Sequence, residues 1–394
     1  MKALRKYIDK IKPKFEEGGR FGMFRSVFEG IESFLFVPNH TSKAGVHIHD
    51  SMDSKRAMTV VIIALLPALL FGMYNTGYQH YVSAGVDAGF VSTFIYGMLA
   101  VLPVLIVSYV VGLGIEFTVA QWKKEEIQEG FLVSGILIPL IVPIDTPLWM
   151  IALATAFAVI FAKEVFGGTG YNIFNVALVT RAFLFFAYPG SMSGDSVFVR
   201  TAAQTVDGFS GATPLGQINM APNEAIGSFQ VVDTLGNPLS LWDMFFGLIP
   251  GSIGETSTLA ILLGAVVLLY TGIASWKTMG SVFAGGIVAS LLFNLAGTTV
   301  AMSVTPWEHI CLGGFAFGAV FMATDPVTSS RTETGKYIYG FLTGLLAIVI
   351  RVLNPGYPEG MMMAILFMNI FAPLIDYYVV QSNISRRLKR ARVK

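Results

Sequence analysis

The sequence has little charge. Asp, Glu, Lys and Arg make up 13% of its 394 residues, whereas apolar residues make up 54%. A water-soluble domain of this length needs far more charge on its surface, so a soluble fold is excluded. Sheets with open edges cannot cross a bilayer, because lipid offers their backbone no hydrogen-bond partner. The long apolar runs therefore predict an all-α polytopic membrane protein.

The sequence also has a single cysteine, Cys311. The chain alone therefore holds neither a cysteine-ligated iron–sulfur cluster nor an internal disulfide. Its five histidines are scattered, and for the pair His47 and His49 a solvated polar segment is favoured over a metal site. A glycine-lysine loop that would cradle a nucleotide phosphate is missing. Neither a metal nor nucleic acid is expected as a partner.

Ten apolar segments are predicted to be membrane-spanning helices. Eleven Lys and Arg residues precede the first segment and six follow the last. Of the nine between, six, Lys163 included, fall in loops on the side of the termini, Arg200 falls on the opposite side, and Arg181 and Arg351 lie in or at the edge of segments. Basic residues prefer cytoplasmic loops, so both termini are predicted to be cytoplasmic. Trp122, Trp149, Trp276 and Trp307 fall at segment ends, where indoles favour the membrane interface. The segments are residues 57–73, 90–119, 131–144, 149–166, 174–188, 256–276, 279–295, 307–323, 337–352 and 361–380.

The chain also shows signs of duplication, since residues 157–189 resemble residues 345–373. With five spans in each copy, the two copies must be inverted, and such repeats commonly hold a binding site between them. Apolar residues from Phe15 to Leu35 recur at spacings of three and four, which predicts an amphipathic helix on the cytoplasmic face. The predicted divisions are a basic N-terminal segment (1–56), a first repeat (57–189), an external loop (190–255), a second repeat (256–380) and a basic tail (381–394).

Three carboxylates fall in or beside apolar segments: Glu116, Asp325 and Asp376. Burying a charge in lipid is costly unless it pairs or serves transport. Carboxylates suit hard cations, so these three are candidates for an ion pathway. For Asp325, beside Pro326, a helix cap is an equal alternative, whereas Glu116 and Asp376 have no evident capping role. Arg181 and Arg351 are their potential partners.

The predicted external loop contains Ser210-Gly211-Ala212-Thr213. We expect its threonine hydroxyl to be exposed, and small neighbours would let a modifying enzyme reach it. The alternative is an ordinary turn before Pro214.

These motifs, together with six further segments, resemble the family of the B subunits of sodium-translocating NADH:quinone oxidoreductases. The likeness to the D subunit of the ferredoxin-dependent Rnf complex is weaker. The resemblance covers essentially the whole chain, and its threonine motif is highly specific. The further matching segments are residues 163–170, 181–189, 249–255, 312–318, 322–326 and 354–361.

The resemblance implies cofactors that composition could not show. Thr213, after Ser210, Gly211 and Ala212, is implied to carry flavin mononucleotide (FMN) through a phosphoester. Asn172 and Asn175 are implied to contact a noncovalent riboflavin between the repeats, although Val176 stands where the family usually has proline. An asparagine after this glycine-rich turn could equally cap the helix that follows.

The same resemblance assigns sodium movement to Glu116, Asp325 and Asp376. It places quinone access at Gly112-Leu113, where the family usually has two glycines, so the leucine is expected to narrow the approach.

The implied protein is one component of a six-subunit, sodium-translocating NADH:ubiquinone reductase in the bacterial inner membrane. Its expected partners are the other subunits, above all the external FMN-bearing one, with membrane quinone, sodium and a flavin transferase. Two alternatives remain: an Rnf-type protein that passes electrons between ferredoxin and NAD, and a flavin-free secondary ion transporter. The transporter would explain the repeats and carboxylates but not the threonine motif.

Overall fold

The computed structural model describes residues 2–15, 21–22, 28, 32, 36, 44–46, 54–123, 130–193, 197–202, 205–222, 226 and 229–392. Regular structure in these ranges is helical, apart from an isolated antiparallel bridge between Val232 and Pro238. The prediction of an all-α polytopic membrane protein is confirmed.

The described helices run in the following order. They are α1 Lys2–Ile11, α2 Ser54–Ala84, α3 Phe90–Lys123, α4 Phe131–Ile141, α5 Leu148–Ala158, α6 Val176–Ala187, α7 Pro214–Met220, α8 Leu241–Phe246, α9 Thr258–Tyr270, α10 Trp276–Ala296, α11 Val300–Ser303, α12 Pro306–Cys311, α13 Phe315–Phe317, α14 Glu333–Leu353 and α15 Met361–Arg392. A π-helical turn, Val159–Lys163, and a 3₁₀ turn, Glu164–Phe166, extend α5, and a second π-helical turn, Gly318–Met322, extends α13.

Among the described residues, six helical segments are long and apolar enough to cross a membrane. Three further apolar helices, α4, α6 and α9, are shorter, and the predicted span 307–323 is broken into α12, α13 and a π-helical turn. Each predicted segment thus falls on helical structure, while the number of crossings and the inverted repeats stay predictions. The six are α2, α3, Leu148–Phe166, α10, α14 and Met361–Ala391.

Only part of the predicted N-terminal amphipathic helix can be compared with the structure. The ring of Phe15 stacks on Phe21 and on Phe28, with centroids 5.6 and 4.7 Å apart. Most of the other residues of that prediction, and His47 and His49, lie outside the described residues.

Small residues set how closely the long helices pack. A Cβ added at Gly285 of α10 would lie 2.1 Å from the carbonyl oxygen of Phe341, and one at Gly344 of α14 would lie 2.0 Å from that of Val282. The two backbones are therefore in contact, as is common in membranes, where apolar side chains gain little by leaving lipid. Gly264 of α9 meets the Ala64 carbonyl of α2 in the same way, which joins the two halves of the chain.

Candidate functional site

Thr213 lies directly before α7 and caps that helix. Its hydroxyl oxygen accepts a hydrogen bond from the backbone N–H of Gly216 at 3.2 Å. The amide of Gln217 fixes the preceding loop by donating to the carbonyl oxygens of Ala212 (3.2 Å) and Val232 (2.9 Å). Thr213 is half-buried, so the expectation of an exposed side chain is wrong. The reason is that the cap folds the hydroxyl against the first turn of α7.

A small cleft of about 30 Å³ opens beside Thr213. Its far wall is the break between α12 and α13, where Gly313 and Gly314 have φ of +60° and +68°, a conformation that only glycine adopts freely. A Cβ at Gly314 would lie 2.7 Å from the carboxyl carbon of Glu255, so the break brings bare backbone against that carboxylate. The cleft has room for no more than a few water molecules. A flavin attached to Thr213 would therefore lie outside it.

Arg181 of α6 lies behind this cleft and joins the two halves of the chain. Its guanidinium pairs with Glu255 at 3.1 Å and with Glu359, and it donates to the carbonyl oxygen of Ile141 at the end of α4. The side chains of Arg181 and Glu255 are 3% and 4% exposed. A planar guanidinium with five N–H donors suits this site, because it can satisfy several acceptors at once.

Arg351 of α14 performs a similar task at the α12–α13 break. It donates to the carbonyl oxygens of His309 (2.7 Å), Leu312 (3.0 Å) and Gly313 (3.3 Å), and to that of Glu359 (3.2 Å). Three of these carbonyls, those of His309, Leu312 and Gly313, lie where the helix is interrupted inside the protein, so Arg351 supplies donors to a helix end. We refer to Arg181, Arg351, Glu255 and Glu359 as the arginine cluster.

The arginine cluster corrects one sequence-based prediction. Arg181 and Arg351 were expected to partner Glu116 and Asp376, and that prediction is wrong. Arg181 lies in the middle of α6 and Arg351 in the last turn of α14, and both donate to groups near the Thr213 cleft. Asp376 finds its partners at the start of α14, at the opposite end of that helix from Arg351.

Asn172 and Asn175 lie just before α6. The side-chain oxygen of Asn175 accepts from the backbone N–H groups of Ala177 and Leu178, so it caps α6, which was the alternative role considered for it. Its amide nitrogen donates to the carboxylate of Asp325 at 3.2 Å. Two residues that the resemblance assigned to different tasks, riboflavin and sodium, are therefore in direct contact.

The Asn172 amide is occupied locally, since it donates to the Phe174 carbonyl at 3.0 Å and accepts from the Gly170 N–H at 3.3 Å. A side-chain amide carries two N–H donors. Each asparagine therefore keeps one donor with which it could meet a flavin edge.

Asp325 and Asp376 both organise the loop that precedes α14. Asp325 accepts from the backbone N–H of Val327 at 3.0 Å and from the hydroxyl of Thr328 at 3.1 Å. These bonds hold a turn at residues 325–328, and no described helix begins there, so Asp325 does not form the helix cap that was considered for it. Asp376 of α15 accepts from the backbone N–H groups of Arg331 and Thr332, and from two hydroxyls, at 2.5–3.0 Å. The N-cap of α14 is Thr332, so Asp376 holds the capping residue in place and is not itself the cap.

Glu116 of α3 has the partner that sequence reasoning missed. It forms a buried ion pair with Lys163, and the two side chains are 5% and 4% exposed. Lys163 was counted as a loop lysine, but it closes the π-helical turn after α5, which turns its side chain inward. The second carboxylate oxygen of Glu116 is buried and has no hydrogen-bond partner among the described residues.

Gly112 lies one turn before Glu116, on the same buried face of α3. A Cβ there would lie 1.9 Å from the ring of Phe131, so the glycine admits that ring between α3 and α4. Leu113 is half-buried and packs against the apolar core.

Three charged residues of these sites had no assigned role in the sequence analysis: Lys163, Glu255 and Glu359. Each belongs to a segment that carried the family resemblance, namely residues 163–170, 249–255 and 354–361. The family motifs therefore included these three charged residues, but only the packing of distant helices shows which charges form pairs.

The fold and its buried charges define a class: a polytopic helical membrane protein whose ionised groups are paired inside the helix assembly, as is typical of proteins that serve ion or proton pathways. The chain belongs to the NQR2, RnfD, RnfE family, whose model matches residues 41–385.

Individual relatives agree over almost the entire length. The chain is 45% identical to the B subunit of the Na(+)-translocating NADH-quinone reductase of Ectopseudomonas mendocina, over 98% of this chain and 99% of that protein. The corresponding B subunits of Pseudoalteromonas atlantica and Klebsiella pneumoniae are 46% and 45% identical, over 98% of this chain and 99% and 100% of theirs.

Proposed function

We propose that this chain is the B subunit of a sodium-translocating NADH:quinone reductase. The observation that carries the proposal is the 45% identity to proteins of that name over 98% of the chain, with coverage of 99% of the first of them. The described part of the chain has the long apolar helices that a membrane subunit requires. The proposed product of the whole complex is reduced quinone, with sodium moved outward.

Thr213 is the proposed attachment site for FMN. Thr213 lines a cleft, and its neighbours Gly211 and Ala212 carry no large side chain that would block a modifying enzyme, while Ser210 is half-buried. Asn172 and Asn175 would hold riboflavin with the amide donors that their local hydrogen bonds leave free. When bound, the two flavins would supply one- and two-electron transfer.

Glu116, Asp325 and Asp376 are the proposed ion-pathway residues. Asp325 supports this because its carboxylate accepts a hydrogen bond from Asn175, which joins the proposed riboflavin site to the proposed ion pathway. Glu116 supports it through its buried oxygen, which has no partner among the described residues. Gly112 and Leu113, one turn away, remain the proposed quinone region.

The proposed setting is the bacterial inner membrane, with both termini cytoplasmic and residues 190–255 as the external loop. The proposed partners are the other subunits of a six-subunit complex, in particular an external FMN-bearing subunit, together with membrane quinone, sodium and a flavin transferase. The division into two inverted repeats, residues 57–189 and 256–380, belongs to the same proposal.

Covalent flavin separates this proposal from the flavin-free transporter. The chain and its Thr213→Ala variant should be produced with a flavin transferase, then run on a denaturing gel under ultraviolet light. We expect fluorescence in the wild-type band and at least a tenfold loss in the variant, and mass spectrometry should find an FMN adduct on the peptide that contains Thr213.

Thr205→Ala is the matched control, since Thr205 lies in the same loop and is exposed. It should keep the wild-type fluorescence. A wild-type chain without flavin would support the transporter, and fluorescence that survives in Thr213→Ala would place the attachment elsewhere. Reduction of quinone, rather than transfer between ferredoxin and NAD, by the purified complex would distinguish the proposed enzyme from the Rnf type.

A further inference from the structure

A groove between α10 and α14 plays no part in the sites described above. It contains about 570 Å³ of free space on the outward side of the two helices, and its lining is mostly apolar. The residues that shape it are Trp276, Gly280, Ala284, Tyr337, Phe341 and Leu342.

The groove exists because α10 has small residues on its outward side. Gly280 and Ala284 are one turn apart and exposed, and a Cβ added at Gly280 would meet nothing within 4 Å. Beneath them the two helices remain in backbone contact at Gly285 and Gly344, so the groove has a solid floor. From Trp276 to Ala284 the apolar track is roughly 12 Å long, at 1.5 Å per helical residue.

Lys277 lines one end of the groove, and the charged side chains of Glu333 and Lys336 lie beside it. Glu333 pairs with Lys277 and, at 2.8 Å, with Lys336. Two ammonium groups against one carboxylate leave a net positive charge at this end. The ammonium of Lys277 also lies 5.9 Å from the ring centroids of both Trp276 and Tyr337.

The same two aromatic rings mark the depth of the charged end. Trp276 and Tyr337 meet edge to face, with centroids 6.2 Å apart, and they are 62% and 43% exposed. Trp and Tyr favour the level of the lipid headgroups. The groove therefore begins at headgroup depth with positive charge and continues along an apolar track into the membrane.

We propose that this groove is a binding site for one anionic phospholipid. Its phosphate would contact Lys277 and Lys336, in competition with Glu333, and one acyl chain would lie over Gly280 and Ala284. Basic pockets between membrane helices bind anionic headgroups in this way. The proposed lipid site does not depend on flavin, quinone or sodium. A negative result for lipid binding would therefore leave the proposed function unaffected, and the reverse also holds.

The test uses the purified complex and native mass spectrometry, with phosphatidylglycerol and phosphatidylethanolamine of identical acyl chains as probes. Wild type should retain phosphatidylglycerol about fivefold better, the effect of one net charge near an anionic lipid. Gly280→Leu should lose this preference, since its side chain fills the groove and leaves both lysines in place. The double variant Lys277→Gln/Lys336→Gln should lose it by removing the charge.

Val288→Leu is the matched control, because Val288 is an exposed residue of the same helix beyond the groove. It should bind as wild type does, and inorganic phosphate should not displace the lipid. Ala284→Leu fills the groove at a second position, so the test survives if Gly280→Leu fails to fold. Equal lipid retention by wild type and the filled variants would overturn the proposal. So would a photo-crosslinker at position 280 that labels another subunit instead of lipid.

Discussion

The Thr213 end of the molecule and the Glu116 end hold their buried charges differently. In the arginine cluster, the two guanidinium groups satisfy carboxylates and the carbonyl oxygens of interrupted helices. At the other end, Lys163 meets Glu116 as one ammonium on one carboxylate, and one carboxylate oxygen has no partner among the described residues. A saturated cluster fixes structure, whereas an unsaturated pair keeps the capacity to bind something else.

Asp325 and Asp376 extend this comparison, because both lie at the Glu116 end and yet are well supplied with donors. Asp376 accepts four hydrogen bonds from the loop before α14, and Asp325 is held by its own turn and by Asn175. Of the three proposed ion-pathway carboxylates, Glu116 is therefore the least satisfied. We expect the Glu116 carboxylate to interact with sodium more strongly than the other two.

The largest effect should come from the saturated cluster. Arg181→Leu leaves Glu255 and Glu359 buried without their cation and frees the Ile141 carbonyl, so we expect a loss of about 5 kcal/mol or failure to fold. Thermal unfolding in detergent and the yield of folded protein would measure this.

Arg181→Lys provides the control, since it keeps the charge but loses the fork that reaches several acceptors. The stability of Arg181→Lys should lie between that of wild type and that of Arg181→Leu. Wild-type stability in Arg181→Leu would show that the cluster does not join the two halves.

Substitutions in the Glu116–Lys163 pair should lower the stability less than Arg181→Leu does, and the two residues should be energetically coupled. Lys163→Met leaves a lone buried carboxylate, and we expect it to cost about 3 kcal/mol. In Lys163→Met/Glu116→Gln both charges are gone, so most of that stability should return, with a coupling energy of about 1–3 kcal/mol. A double-mutant cycle of thermal unfolding measures the coupling.

Sodium transport separates structure from function in the same variants. If Glu116 serves the ion pathway, Glu116→Gln should lower sodium uptake by vesicles, and the double variant should not recover it although its stability does. If the double variant recovered both sodium uptake and thermal stability, the Glu116–Lys163 pair would have only a structural role.

The smallest effect should come from Asn175, which links the two ends of the comparison through α6. Asn175→Ala removes the cap of α6 and the contact with Asp325, and we expect a cost of about 1 kcal/mol with a lower riboflavin content in the purified complex. Thermal unfolding and flavin extraction are the two measurements.

Asn175→Ser divides these roles, because a serine hydroxyl can cap the helix but does not reproduce the amide donor to Asp325. It should retain most of the stability. Riboflavin content equal to wild type in both variants would exclude Asn175 from the flavin site.

Features set by local sequence were predictable. The apolar runs marked where helices form, and the tryptophans fell at helix ends. The break at Gly313 and Gly314 inside the predicted span 307–323 was not predicted. The cap at Asn175 was foreseen as an alternative, because a cap depends on residues two or three positions away. Asp325 holds a turn and not the start of a helix. Thr213 was predicted as a site but expected to be exposed, and its cap to Gly216 is equally local.

The partners of the buried charges were not predictable from the sequence. Lys163 and Glu116 are 47 positions apart, Arg181 and Glu255 are 74 apart, and Arg181 and Glu359 are 178 apart. Nothing in local periodicity distinguishes Lys163 from the loop lysines, since its inward direction follows from a π-helical turn. Candidate cations and carboxylates could be named, but they could not be matched.

The sequence by itself determined the class of this protein, because hydropathy and helix-forming runs depend on each residue and its near neighbours, and lipid leaves a helix as the solution for such runs. Only the tertiary structure decided which charges neutralise one another and which carboxylate remains unsatisfied. The physical reason is that burial makes an unpaired charge costly, but the identity of its partner depends on how distant helices pack.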